Sequence, residues 1–200
     1  YGSGNVSKDM LNNAIEKSDL AYLVSKLPSG LATQVGERGL KLSGGEKQRV
    51  AVARAFAAKP DIILCDEVTS ALDVSVQAAV LNLLQELKED FGTTYIFVSH
   101  DLAVVKAISD RVAVLYQGRL CEIGPSESVY KFPSHPYTEV LLGAVLEPDP
   151  DIKPKLVAED IVEETPPANG CSFQGRCPKI LGEICRTNVP PWQIDDNGNA

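Results

Sequence analysis

The sequence is short of several things at once: it has a single Met, a single Trp, two His and an aromatic share of 6%. Long apolar runs are missing as well. The longest, Val140 to Leu146, is broken at Gly143 and is far shorter than the roughly 18 residues a membrane-spanning helix needs. No basic-then-apolar leader opens the chain, so secretion is not indicated. Positive charge is the minority sign. With 19 Lys and Arg against 27 Asp and Glu the net charge is -8, the wrong sign for a surface that must hold nucleic-acid phosphates. DNA and RNA are not expected partners, and the chain reads as soluble or peripheral to a membrane.

The apolar share of 44% over 200 residues is ample for a buried core and predicts one domain with an appendage. Five cysteines without a secretory signal belong in a reducing compartment, where disulfides are not expected. The chain begins at Tyr1, and Asp195 to Ala200 does not resemble the end of a folded unit; it reads as a piece cut at both ends.

Leucines and small apolar residues recur at helical spacing from Ser7 to Lys26 until Pro28-Ser29-Gly30 closes the segment, which predicts a helix leading into a loop. Strong helix formers run from Glu46 to Ala58 and stop at Lys59-Pro60. Asp61 to Cys65, Thr93 to Val98 and Arg111 to Tyr116 are short apolar runs, which predict strands buried on both faces and paired in parallel. Between the first two, Val76, Val80, Leu83, Leu84 and Leu87 form one stripe of a helix from about Val74 to Asp90, with Gly92 beyond its end. Gln117-Gly118 reads as a two-residue turn joining Arg111 to Tyr116 with Arg119 to Ile123, so the sheet is expected to acquire an antiparallel pair at that end. Short helices near Ser126 to Lys131 and Tyr137 to Leu146 complete the pattern. An acidic, proline-rich linker is expected over 147–170, separating a domain of 1–146 from a cysteine-bearing tail of 171–200.

Four groups of residues carry chemistry. Ser43, Gly44 and Gly45, followed by Glu46, open a helix whose free N–H groups and positive dipole end suit a phosphate, although SGG alone would be an ordinary glycine-rich helix start. Ile62 to Cys65 delivers Asp66 and Glu67 to the C-terminal edge of a parallel sheet, where nucleotide crevices form. There Asp66 would hold Mg²⁺ and Glu67 would orient or deprotonate an attacking water; the bland alternative is a strand end with two solvated acids. His100 ends the next strand before Asp101, a helix cap, and is either a packed strand-end histidine or a group reaching a terminal phosphate. Ser70, Ala71, Leu72 and Asp73 form the intervening loop, in which Asp73 alone would be only a cap. A phosphate loop of the form G-x-x-x-x-G-K-[ST] is absent from the sequence.

In combination, LSGGE, IILCDE, SALD and VSH resemble the signature, Walker B strand, D-loop and switch-histidine segment of an ATP-binding cassette (ABC) ATPase subunit, over about Gly39 to Asp101. The resemblance implies an α/β fold, a partial P-loop NTPase cassette. In that family ATP lies between two cassettes, so it implies that Ser43 to Gly45 act on ATP held by a second subunit, with Glu46 and Asp73 counted among the cofactor-binding residues. Glu67 and His100, with Asp66 on Mg²⁺, serve ATP held by their own cassette. DEVTSALDVSVQAAVLNLL, AISDRVAVLYQGRLCEIGPSESVY and HPYTEVLL are similar to the dipeptide and oligopeptide importer ATPases, whereas TQVGERG at Thr33 to Gly39 is similar to exporter cassettes. The implied partners are a second ATPase subunit, transmembrane permeases and an extracytoplasmic solute-binding protein. The implied location is the cytoplasmic face of the membrane, and the chain by itself is expected to be inactive.

The tail of such importers carries a cysteine cluster reported to hold a 4Fe-4S centre, and Cys171, Cys177 and Cys185 match three of its positions. Iron-sulfur, zinc and unligated thiols all stay open. Cys65 and Cys121 read as core residues, His135 as a turn residue, and Glu16, Lys17 and Asp19 as a solvated helical face. Two other classes compete: a non-catalytic interaction or redox module whose working part is the tail, and a soluble ABC ATPase of translation or DNA repair.

Overall fold

The computed structural model describes residues 6–36, 39–70, 72–144 and 169–200, and the chain divides into two compact units, Tyr1–His100 and Asp101–Ala200.

In the first unit, Ser7 caps helix α1 (Lys8–Lys17) by accepting the Met10 N–H at 3.2 Å. The long helix expected from Ser7 to Lys26 is broken. The chain turns at Ser18-Asp19-Leu20, with Asp19 at a φ of 52°, before α2 (Ala21–Lys26). The turn buries Ser18 and Leu20 and lets the Asp19 carboxylate pair with Arg49, while Lys17 reaches Asp90 at 2.6 Å. The supposed solvated face is therefore exposed but tethered.

Helix α3 (Gly44–Phe56), strand β1 (Ile62–Asp66), helix α4 (Val74–Phe91) and strand β2 (Thr94–Val98) follow. β1 and β2 pair in parallel, from Ile62 opposite Thr94 to Asp66 opposite Val98. Gly92, at a φ of 64°, accepts the left-handed turn that ends α4 without a Cβ penalty. Val80, Leu83, Leu84 and Leu87 of α4 are buried with Val52, Ala53 and Phe56 of α3 and with Cys65 of β1. The Phe56 ring lies 5.4 Å from Phe91 and edge-on to Tyr95 at 6.3 Å, and the Tyr95 hydroxyl donates to Leu84 O at 2.8 Å.

One expectation fails here. β1 and β2 are buried on one face only: Ile62, Leu64, Ile96 and Val98 are exposed. Successive side chains of a strand point to opposite faces, and the described helices cover the face that carries Cys65 and Tyr95.

In the second unit, Asp101 caps α5 (Leu102–Ile108), its Oδ1 accepting from the N–H groups of Ala103 and Val104. Strands β3 (Arg111–Tyr116) and β4 (Arg119–Pro125) form an antiparallel hairpin with a bulge between Val114 and Leu115. The turn falls at Gln117-Gly118, both with positive φ, as a two-residue hairpin requires. β3 thus pairs antiparallel with β4, as the Gln117-Gly118 turn predicts, although in a separate two-stranded sheet and not as an extension of the parallel one. The β3 run is apolar but alternates in burial, which composition alone does not reveal. Helices α6 (Ser126–Lys131), α7 (Pro136–Gly143) and α8 (Glu183–Thr187) complete the unit.

Phe173 is buried beside Tyr116 and Tyr137, at ring distances of 5.2 and 5.3 Å. The last residues, unpromising in sequence, dock against β4. Ala200 and Ile123 exchange both backbone hydrogen bonds, at 2.8 and 2.9 Å. Fully buried Asn199 donates to Phe132 O, and a Cβ on Gly124 would strike its side chain at 2.3 Å. The expected linker lies outside the described residues apart from Asn169 and Gly170.

Candidate functional site

The parallel pairing of β1 and β2 brings two chain exits to one edge. Glu67 leaves β1 and His100 leaves β2 two residues after Val98, and the Glu67 N–H donates to Val98 O at 2.9 Å. Glu67 has a φ of 46°, a left-handed conformation that non-glycine residues seldom adopt and that marks functional positions. Its carbonyl is held in that bend by the Ser70 N–H at 3.1 Å and the Ser70 hydroxyl at 3.0 Å. The bend turns the carboxylate to His100, whose Nδ1 lies 3.1 Å from Glu67 Oε1. An ionised carboxylate only accepts, so Nδ1 carries the proton in this pair and Nε2 is left for a ligand or water. Both side chains are largely open to solvent, Glu67 at 53% and His100 at 72% exposure. Sequence spacing, 33 residues apart, gave the two as candidates; the structure makes them one unit.

Asp66 sits at the last position of β1, opposite Val98, and is exposed. Mg²⁺ keeps several waters and needs only one or two protein carboxylates beside substrate phosphates. A single accessible acid at this strand end fits that demand.

Ser43 caps α3 in a full capping box. Its N–H and hydroxyl donate to Glu46 Oε2 at 2.7 and 2.8 Å, and the Glu46 N–H returns a bond to Ser43 Oγ at 3.3 Å. These bonds to the Ser43 backbone and hydroxyl hold the Glu46 carboxyl below its usual range. Glu46 is therefore occupied as a cap, and the amides of Gly44 and Gly45 are left in the first turn, ahead of the intrahelical ladder. Asp73 also acts as a cap: Oδ1 accepts the Ser75 hydroxyl at 2.6 Å and the Val76 N–H at 2.9 Å, and these bonds, the Ser75 one first, lower its pKa. A hollow of about 570 Å³ beside the helix start is lined by Ser43, Gly45, Glu46, Arg49, Tyr22 and Val76 among others. Val76, whose Cγ1 lies 2.9 Å from where a Cβ on Gly45 would stand, went unnoticed as a site residue; its place on the α4 stripe was the one signal available.

Cys171, Cys177 and Cys185, for which iron-sulfur, zinc and unligated thiols are all open readings of the sequence, lie in one segment of the second unit. Among the described residues no three His, Cys, Asp or Glu side chains gather closely enough to hold an ion. The three thiols are partly buried, and the segment is organised by backbone bonding, with the Cys171 N–H donating to Cys185 O at 2.9 Å and the Leu181 N–H to Cys185 Sγ at 3.4 Å. Burial raises the Cys177 thiol. Cys65 is core, with its pKa pushed up to about 11 by burial, whereas Cys121 is only half-buried and borders a hollow of about 240 Å³ with Cys171 and His135. His135 caps α7, its Nδ1 accepting the Tyr137 N–H at 3.0 Å.

A parallel strand pair that presents an acid, a second acid in a left-handed bend and a histidine at one edge, with a capped glycine helix start in the same unit, defines part of a mixed α/β cassette fold. The family comparison agrees. The "ABC transporter" model matches residues 5–70 and the "oligopeptide/dipeptide transporter, C-terminal region" model matches residues 121–185. The chain belongs to the ABC transporter ATPase family. It is 49% identical over 152 residues to a putative peptide import ATP-binding protein of Brucella ovis, covering 75% of this chain and 48% of that protein. It is 46% identical over 157 residues to the di/tripeptide transport ATP-binding protein DppF of Pseudomonas aeruginosa, covering 77% and 48%. A bacterial Atm1-family ABC exporter solved with ATP bound is similar at a TM-score of 0.54 and 40% identity, over 66% of this chain and 23% of that one. The chain spans about half the length of the curated relatives it matches.

Proposed function

We propose that this chain is part of the ATP-hydrolysing subunit of an ABC transporter that imports peptides or similar small solutes. The observation that carries the reading is the Glu67–His100 contact of 3.1 Å at the strand edge next to Asp66. Mg²⁺-ATP supplies the phosphoanhydride to be cut. Glu67, fixed by Ser70 and by Val98 O, orients and takes a proton from the attacking water. His100 holds the Glu67 carboxylate through Nδ1 and offers Nε2 to the reacting face. Asp66 holds the cation, and the first-turn amides of α3, backed by the helix dipole, attract the terminal phosphate of ATP borne by a second subunit.

The names of the relatives and the match to the oligopeptide-type C-terminal region support peptide import. The partners in this reading are a second ATPase subunit, membrane permeases and a solute-binding protein. Its location is the cytoplasmic face of the cell membrane, in keeping with the finding that no helix among the described residues is long and apolar enough to cross a bilayer. The hydrolytic step in this reading makes no use of Cys171, Cys177 or Cys185. Export is the second reading, favoured by the exporter-like Thr33 to Gly39 segment and by the likeness to the Atm1-family structure.

The test is to reconstitute the full-length subunit with its permease partners in proteoliposomes. Peptide-stimulated phosphate release with uptake towards the ATPase side is the expected result. Movement away from that side would establish export, and an assembled complex that releases no phosphate would overturn the whole reading.

A further inference from the structure

The two adjacent glycines of the α3 start stand in different surroundings. A Cβ added to Gly44 would meet only Leu72 Cδ2 at 3.5 Å, an ordinary contact. A Cβ added to Gly45 would come within 2.9 Å of Val76 Cγ1, a separation that real Cβ atoms essentially never show. Val76 borders the hollow beside the helix start, but few side-chain conformations are open to it. It is β-branched and so nearly confined to one rotamer on a helix, and its N–H is bonded to Asp73 Oδ1 at 2.9 Å. One turn further on, α4 is anchored by fully buried Val80. The start of α3 is equally constrained by the Ser43–Glu46 capping box. A methyl group at position 45 would therefore separate the two helices, and with them shift the Gly44 and Gly45 amides.

We infer that Val76 is a positioning residue that sets where the amide cradle of α3 stands, and that Val76 by itself is a reason for glycine at position 45. The ligand of the displaced amides rests on the function proposed above; the packing relation does not. The same stretch of chain also touches the hydrolytic edge: Ser70 holds the Glu67 carbonyl, while Leu72 and Val76 stand where Cβ atoms on Gly44 and Gly45 would meet them. The cradle is thus mounted on the loop that braces Glu67.

The test is a double-mutant cycle in the full-length subunit: wild type, Gly45→Ala, Val76→Ala and the double variant, with Gly44→Ala alone and combined with Val76→Ala as the contrast. Each is read by Tm and by the ATP concentration giving half-maximal hydrolysis. Gly45→Ala should lower Tm and raise the half-saturating ATP about tenfold, a modest effect for overpacking strain. In the Val76→Ala background the same change should cost no more than about twofold, because neighbouring sites couple. The effect of Gly44→Ala should be the same in either background. A Gly45→Ala defect that persists undiminished beside Ala at position 76, or a Gly45→Ala variant with the wild-type Tm, would overturn the inference. Absence of hydrolysis in the wild type would count against the proposed function alone, since the Tm cycle still decides the packing.

Discussion

Glu67→Gln keeps the shape of the side chain and the left-handed backbone but removes the charge that orients water. Loss of a positioned acid–base group costs about 100- to 10,000-fold in turnover, and the lower figure equals about 2.7 kcal/mol of activation free energy. The structure bounds the effect on folding. With side-chain exposures of 53% and 72%, the Glu67–His100 pair is a solvent-screened contact worth about 0–1 kcal/mol, so Tm should move by only a few degrees. The 3.1 Å contact also dictates non-additivity: groups that act as a unit are lost together. His100→Ala should cost about 100-fold, and the double variant little more than Glu67→Gln alone, whereas independent sites would multiply to about 10,000-fold or beyond. Phosphate release by the reconstituted complex, with ATP binding measured in parallel, reads all three. Near-normal turnover in Glu67→Gln, or multiplicative losses in the double variant, would refute the reasoning.

Three further outcomes follow from the packing and the caps. Phe56→Ala should destabilise the first unit by about 3–5 kcal/mol through the cavity left between Phe91 and Tyr95, seen in urea or thermal unfolding. Glu122, fully buried, accepts the N–H groups of Ser134 and His135 at 2.8 and 3.0 Å. Glu122→Ala should therefore lower the Tm of the second unit by at least roughly 10 °C, at about 1–3 kcal/mol for each of the two orphaned amides, and Glu122→Gln, which keeps one acceptor, by less. Burial lowers the His135 pKa from its usual 6.5, against a smaller opposing pull from Glu122. The unfolded chain then binds the proton first, so this contribution to stability is full above pH 6.5 and is lost as the pH falls through the lowered value. His135→Asn, which still caps α7, should flatten that part of the Tm–pH curve.

Much of the site was legible because its parts are local. The α4 stripe, the left-handed stop at Gly92, the Asp101 and Ser43 caps and the Gln117-Gly118 turn are each decided within a few residues. So is the delivery of Asp66 and Glu67 by an apolar strand. What required coordinates was long-range or conformational. The 3.1 Å approach of His100 to Glu67 depends on parallel register and on a bend that Glu67 itself must adopt. Asp19 breaks the first helix because Arg49, thirty residues on, rewards the turn. Burial on both faces of β1 and β2 was wrongly expected because an apolar run states what a strand tolerates, not which neighbours cover it. The thiols stayed open for a related reason: spacing cannot show whether three sulfurs converge.

The reciprocal backbone bonds between Ala200 and Ile123 carry a practical lesson for handling the polypeptide. They occupy the side of β4 that faces away from β3, and an unoccupied strand margin is a template for self-association. Recombinant versions trimmed ahead of Asp195 should therefore tend to form oligomers or precipitate even though every acid and histidine of the hydrolytic edge is retained. Poor behaviour of such trimmed material would then reflect a bared hairpin margin rather than a defect in chemistry.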